Sequence, residues 1–177
     1  MLHLKRPLNS MFALILIALT SQSSATPLDI AEETIGMIYF YNDKNEEACT
    51  LPVPATSQYF NFGNSNERCE NNMVSTFWLK NIPSATLIHF YESESCTDAP
   101  SKDNFYIKFK TVKTPTDWSE NNPAAITIDS MRNLPAGGLL PKRNIRLEAS
   151  FVGAEFNNKS LNEQLSCVYI ERSQPVD

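Results

Sequence analysis

The chain has no Cys-x-x-Cys pair, no apolar stretch long enough to span a bilayer, and only two histidines, His3 and His89. Without paired Cys-x-x-Cys ligands, and with His89 inside an apolar run, a structural metal site is a poor use of its cysteines. A single internal histidine also leaves Ser-His-Asp or Cys-His hydrolysis one candidate base, and no neighbouring motif marks a nucleophile for it. Paired carboxylates are no better isolated. Glu92 and Glu94 lie two apart and Glu46 and Glu47 are adjacent, so nothing singles out a pair with separated pKa values.

Basic charge is scarce as well. Two of the 15 Lys and Arg residues, Lys5 and Arg6, lie in the first 25 positions, which hold no acid. Beyond them 13 basic residues face 20 acidic ones, a net charge of −7. That excess argues against nucleic acid and against anionic membrane surfaces as partners.

The N-terminus is organised as an export leader. Lys5 and Arg6 precede the apolar run Met11–Ala18 (MFALILIA), and a small polar stretch ends in Ser23-Ser24-Ala25. This order of segments predicts a signal peptide over residues 1–25, cut before Thr26. The run falls short of the roughly 20 residues of a spanning helix. No cysteine follows it to carry a lipoprotein anchor. Export predicts a secreted or periplasmic protein with no membrane insertion after cleavage. The 152 remaining residues suit one domain.

All four cysteines, Cys49, Cys69, Cys96 and Cys167, fall in that part. In an oxidising compartment they read as two disulfides, with three possible pairings. The expected arrangement is Cys49–Cys69, closing a local loop, and Cys96–Cys167, tying the last strand to the middle of the chain. Asn158-Lys159-Ser160 is a glycosylation sequon, relevant only on a eukaryotic secretory route.

After a polar leader at residues 26–34, short β-branched and aromatic runs alternate with Asn, Asp, Ser and Pro clusters. Strands are expected at Ile35–Tyr41, Gln58–Phe62, Met73–Leu79, Thr86–Tyr91, Phe105–Val112, Ala125–Asp129, Ile145–Val152 and Leu165–Glu171. Helical period is confined to one turn at Ser160–Leu165, and Leu134–Pro141 reads as an irregular connection. Eight strands with turn chemistry between them predict an all-β, antiparallel sandwich.

Two stretches echo each other. Met37–Cys49 and Thr86–Cys96 each carry a Phe-Tyr strand ending before a cysteine. Asn71-Asn72 and Asn121-Asn122 each lead into an apolar strand. Halves of about fifty residues suggest a duplicated Greek-key core at residues 35–130, followed by a C-terminal strand pair at 143–177.

On Asn71-Asn72-Met73-Val74-Ser75-Thr76 in particular, the chain resembles the βγ-crystallin superfamily. Two amides, two variable residues and two hydroxyls match that family's pattern over residues 35–129. The resemblance implies a crystallin-like Greek-key sandwich with two additional C-terminal strands, and calcium held with help from Asn72 and Ser75. Among its exported microbial members are peptidase inhibitors and killer-type toxins. The aromatic and glycine of the family's strand-turn signature are replaced by Glu46 and Ala48, and by Cys96 and Asp98. Read on their own chemistry, Asn71 and Asn72 offer neutral oxygens, a weak set for a hard cation, and also turn a chain well.

Aromatic residues are dense, and in a strand adjacent ones face opposite ways. Tyr39, Tyr41 and Trp78 are therefore candidates for an exposed binding surface, unless the sheet is buried on both faces. Trp118, in a polar loop, is either a contact residue or a loop anchor. The function expected is a secreted, non-enzymatic, monomeric binding protein, inhibitor- or toxin-like, acting on a protein partner. The alternative is a weak calcium-binding structural module.

Overall fold

The computed structural model describes residues 36–64, 69–118 and 125–172. The expected export leader, the polar stretch expected after it and the second Asn-Asn loop lie outside the described residues. The described chain forms ten strands: β1 Met37–Tyr41, β2 Glu47–Pro52, β3 Gln58–Asn61, β4 Thr76–Lys80, β5 Leu87–Tyr91, β6 Phe105–Thr111, β7 Ile126–Thr127, β8 Leu139–Leu140, β9 Ile145–Val152 and β10 Cys167–Glu171. They pair as two antiparallel sheets, a four-stranded one in the order β2-β1-β4-β7 and a six-stranded one in the order β3-β10-β5-β6-β9-β8. The protein is an all-β sandwich.

Period-two alternation builds the core. In β6, Phe105, Ile107 and Phe109 are buried while Tyr106, Lys108 and Lys110 lie on the outer face. Ile38 and Phe40 of β1, Phe77 and Leu79 of β4, and Ile88 and Phe90 of β5 are fully buried in the same way. Their rings join the layers: Phe77 meets Phe90 edge-on at 4.9 Å and Phe109 at 5.4 Å, and Phe40 meets Phe90 at 5.8 Å. Each fully buried phenylalanine contributes about 2–3 kcal/mol of transfer free energy. Favourable edge-to-face pairs add about 1 kcal/mol.

Disulfides join Cys49 to Cys69 and Cys96 to Cys167, the arrangement expected from the sequence. The first fastens edge strand β2 to the segment before β4. The second fastens the β5–β6 loop to β10. Among the described residues no helix is long and apolar enough to cross a membrane.

Several local expectations are corrected. The two C-terminal strands are not an appended pair, because β9 lies between β6 and β8, and β10 between β3 and β5. Val168 and Ile170 of β10 are fully buried on the larger sheet's inner face. No strand is expected between Tyr41 and Gln58, yet Glu47–Pro52 forms β2. Asn42 Oδ1 accepts the Lys44 and Glu46 amides, and Asn45 takes a φ of 61°, turning the chain straight into β2. Pro52 is tolerated in β2 because the strand is an edge. Within Leu134–Pro141, residues Leu139–Leu140 pair with β9. Ser160–Leu165 forms no helical turn; the nearest is a 3-10 turn at Ala154–Phe156. The strand expected at Ala125–Asp129 shortens to Ile126–Thr127, since Asp129 starts another 3-10 turn. There its carboxylate accepts the Leu161 amide at 2.8 Å and the Arg132 guanidinium at 2.6 Å, bracing the approach to β10.

Candidate binding surfaces

The outer face of the four-stranded sheet carries the positions that alternate with the core: Met37 and Tyr39 on β1, Thr50 on β2, and Thr76, Trp78 and Lys80 on β4. Tyr39 lies directly opposite both Thr50 and Trp78. Its ring stacks on Trp78 with centroids 3.9 Å apart and planes 4° from parallel. Both side chains are half-buried. Two donors of β4 on this face, Trp78 Nε1 and the Thr76 hydroxyl, are enclosed without a hydrogen-bond partner. Leaving such a group unsatisfied costs about 1–3 kcal/mol.

The other two aromatic candidates are not surface residues. Tyr41 is 9% exposed; it sits where the β1–β2 register slips past Ala48. Trp118 is 2% exposed and meets Phe77 at 6.2 Å. The preceding chain runs antiparallel to the end of β4, with Thr116 bridging Ile82 and the Trp118 amide donating to the Leu79 carbonyl at 2.9 Å. That pairing turns the indole into the core, so Trp118 anchors its loop.

The calcium candidates are separated in character. Asn72 is exposed with a φ of 60°, a left-handed turn residue. Its amide donates to the Leu165 carbonyl at 3.1 Å, and its Oδ1 accepts the Ser166 hydroxyl at 3.4 Å. Ser75 is 2% exposed, its main chain is paired to Tyr41 and Ile128, and its hydroxyl has no partner. Among the described residues no group of three His, Cys, Asp or Glu side chains is arranged to hold a metal ion.

The outer face of the six-stranded sheet is a second aromatic surface, which the sequence reading missed. Tyr59, 55% exposed, stacks on Tyr169 at 4.1 Å, and Tyr169 meets His89 edge-on at 5.1 Å. His89 alternates with buried Ile88 and Phe90, yet these flanking rings bury it too. Its Nδ1 is 2.8 Å from the Tyr91 hydroxyl and its Nε2 is 3.9 Å from a Glu171 oxygen. Burial, aided by the nearby Lys108 ammonium and opposed by Asp98, lowers the His89 pKa to about 4. Burial likewise pushes the Tyr91 phenol up. The imidazole is therefore neutral near pH 7 and shares one hydrogen bond with the Tyr91 hydroxyl through Nδ1. Lys108 pairs with Asp98 and lies 5.3 Å above the Tyr106 ring.

The chain matches no protein-family model, no curated protein and no solved structure.

Two cavities lie away from these aromatic faces. A polar one of about 440 Å³ is lined by Glu92, Ser93, Asp103, Asn104, Glu155, Phe156 and Lys159. Burial raises the Glu92 carboxyl, with Asp103 reinforcing and Lys159 opposing the shift. Glu94 is turned away to accept the Asn71 amide at 2.8 Å, so Glu92 and Glu94 form no working pair. An apolar one of about 680 Å³ lies between β7 and β8.

Proposed function

We propose that this chain is an exported, non-enzymatic binding protein that engages a protein partner through the outer face of its four-stranded sheet. The observation that carries this reading is the stacked, half-exposed Tyr39–Trp78 pair on that face. Tyrosine and tryptophan dominate the energetic centres of protein interfaces, because they combine large area with few rotatable bonds and a polar tip. The export leader and two disulfides support an oxidising destination. The strong negative balance favours a partner with a basic surface.

The test is affinity capture with the oxidised protein, then titration of the purified captured partner against the parent and Tyr39→Ala/Trp78→Ala proteins. The double variant should bind at least tenfold more weakly, the loss of roughly 2 kcal/mol expected of a hot-spot pair. Equal affinity would move the interface elsewhere, and chemical turnover of the partner would end the non-enzymatic reading.

A further inference from the structure

Asparagine followed two positions later by serine or threonine, with any residue but proline between them, is the acceptor sequence for N-linked glycans. Asn158-Lys159-Ser160 is the one such triplet in the chain. A glycan is bulky and solubilising, so its acceptor must stand on a surface turn with a side chain that the fold does not use.

Asn158 lies in the connection between β9 and β10, just after the 3-10 turn Ala154–Phe156. Residues 157–160 are all exposed, between buried Phe156 and buried Leu161. The loop is held at both ends. The Arg132 guanidinium donates to the Phe156 carbonyl at 2.9 Å and to the Lys159 carbonyl at 2.6 Å, and the Asp129 carboxylate accepts the Leu161 amide at 2.8 Å. Lys159, between the amide and the hydroxyl, is laid down, its ammonium 5.0 Å from the Phe156 ring centre and bonded to Gln164 Oε1. The Ser160 hydroxyl oxygen accepts the Asn162 amide at 3.1 Å, which leaves its proton available. Elsewhere Asn42, Asn61, Asn71, Asn104 and Asn162 commit their carboxamides to hydrogen bonds that shape loops. The Asn158 carboxamide has no such partner among the described residues.

We infer that Asn158 is the acceptor of an N-linked oligosaccharide when the chain follows a eukaryotic secretory route. The inference rests on the export reading and not on the Tyr39–Trp78 face, which belongs to the other sheet. The donor is a polyprenyl-pyrophosphate-linked oligosaccharide. Asn158 Nδ2 forms a bond to C1 of the first sugar, the bond from C1 to the pyrophosphate oxygen breaks, the lipid pyrophosphate leaves, and the amide proton passes to solvent.

The full chain, expressed behind its own leader in cultured insect cells, tests the assignment through the intact mass of the protein in the medium before and after peptide-N-glycosidase. The parent should be one glycan heavier than its peptide mass. Glycosidase should remove the excess and leave Asn158 deamidated in the peptide map. Asn158→Gln and Ser160→Ala should both reach the medium at bare peptide mass, whereas Ser160→Thr should keep the glycan. Asn158→Gln should melt with the enzymatically deglycosylated parent, since its side chain holds nothing in place. Parent protein secreted at bare mass, or a glycan that persists in Asn158→Gln, would overturn the inference while leaving export intact. Parent retained in the cells with its leader attached would overturn export and this inference together.

Discussion

His89 offers the sharpest test of the packing described above, because its titration couples one buried ring to the stability of the whole sandwich. In the folded protein its pKa is lowered to about 4, first by burial and then by Lys108, whereas an unfolded chain titrates near the ordinary value of 6.5. Between those two values the unfolded state binds more protons than the folded state. Stability therefore falls as pH falls from about 6.5 to about 4, and is complete above that window. At about 1.36 kcal/mol per tenfold change in proton affinity, the loss across the window is about 2–3 kcal/mol. Urea unfolding at pH 7, 6, 5 and 4 measures it. Glu92, whose carboxyl is raised by burial, contributes the opposite slope, and the lowered Asp98 and Asp103 lose their contribution below the usual carboxylate range. His89→Gln isolates the histidine, since these carboxylates are common to both proteins and glutamine still presents an acceptor to Tyr91. The stability difference between parent and variant should shrink by about 2–3 kcal/mol as pH drops from 7 to 4. Parallel curves at all four pH values would refute the account of a neutral, desolvated imidazole.

The two disulfides should differ in worth. Cys96–Cys167 spans 71 residues and Cys49–Cys69 spans 20, so replacing each pair with serine should cost about 4 and about 3 kcal/mol respectively on a loop-entropy basis, read from urea midpoints. The two tryptophans should part in the same assay. Trp118→Ala should destabilise by about 3–5 kcal/mol because it empties a core position. Trp78→Ala, on a half-exposed face, should cost about 1 kcal/mol. Equal losses would mean that the indole environments are not as described. For calcium, the neutral, turn-forming Asn72 and the buried Ser75 predict no change in melting midpoint between millimolar calcium and chelator. A rise of several degrees that Asn72→Ala or Ser75→Ala removes would restore a crystallin-type clamp.

The sandwich was legible because its strands write period two in large letters. Phe105-Tyr106-Ile107-Lys108-Phe109-Lys110 can bury one face only as a strand. The cysteine pairing was not fixed by the residues: three pairings were open, and the one found, Cys49–Cys69 with Cys96–Cys167, was a preference for one local loop and one tie from the last strand to the middle of the chain. β2 was hidden because Glu47-Ala48-Cys49-Thr50-Leu51-Pro52 holds only two core residues, Cys49 and Leu51, and finishes in proline. Only its position at an edge makes that composition acceptable. β8 was hidden because its two residues have no period at all, and Leu139–Leu140 becomes a strand only when β9 lies beside it. The C-terminal strands were misplaced for want of pairing information. Nothing local in Cys167-Val168-Tyr169-Ile170-Glu171 says that its neighbours are β3, over a hundred residues earlier, and β5.

Surfaces are harder to read than cores, since exposure depends on what the rest of the chain lays over a residue. Alternation placed Tyr39, Tyr41 and Trp78 outward with equal force, yet a one-residue slip beside Ala48 coincides with the burial of Tyr41 and leaves the other two as a stacked pair. Trp118 was a surface candidate by composition and became core by pairing, because Thr116 and Ile82 bridge and carry its indole inward. The apolar cleft is the extreme of this dependence. Ile126 and Leu139 are 13 positions apart, belong to different sheets and become neighbours only because both sheets end where they do. This concave surface therefore lies where the strand pairing of both sheets stops, a place that no local pattern around Ile126 or Leu139 marks.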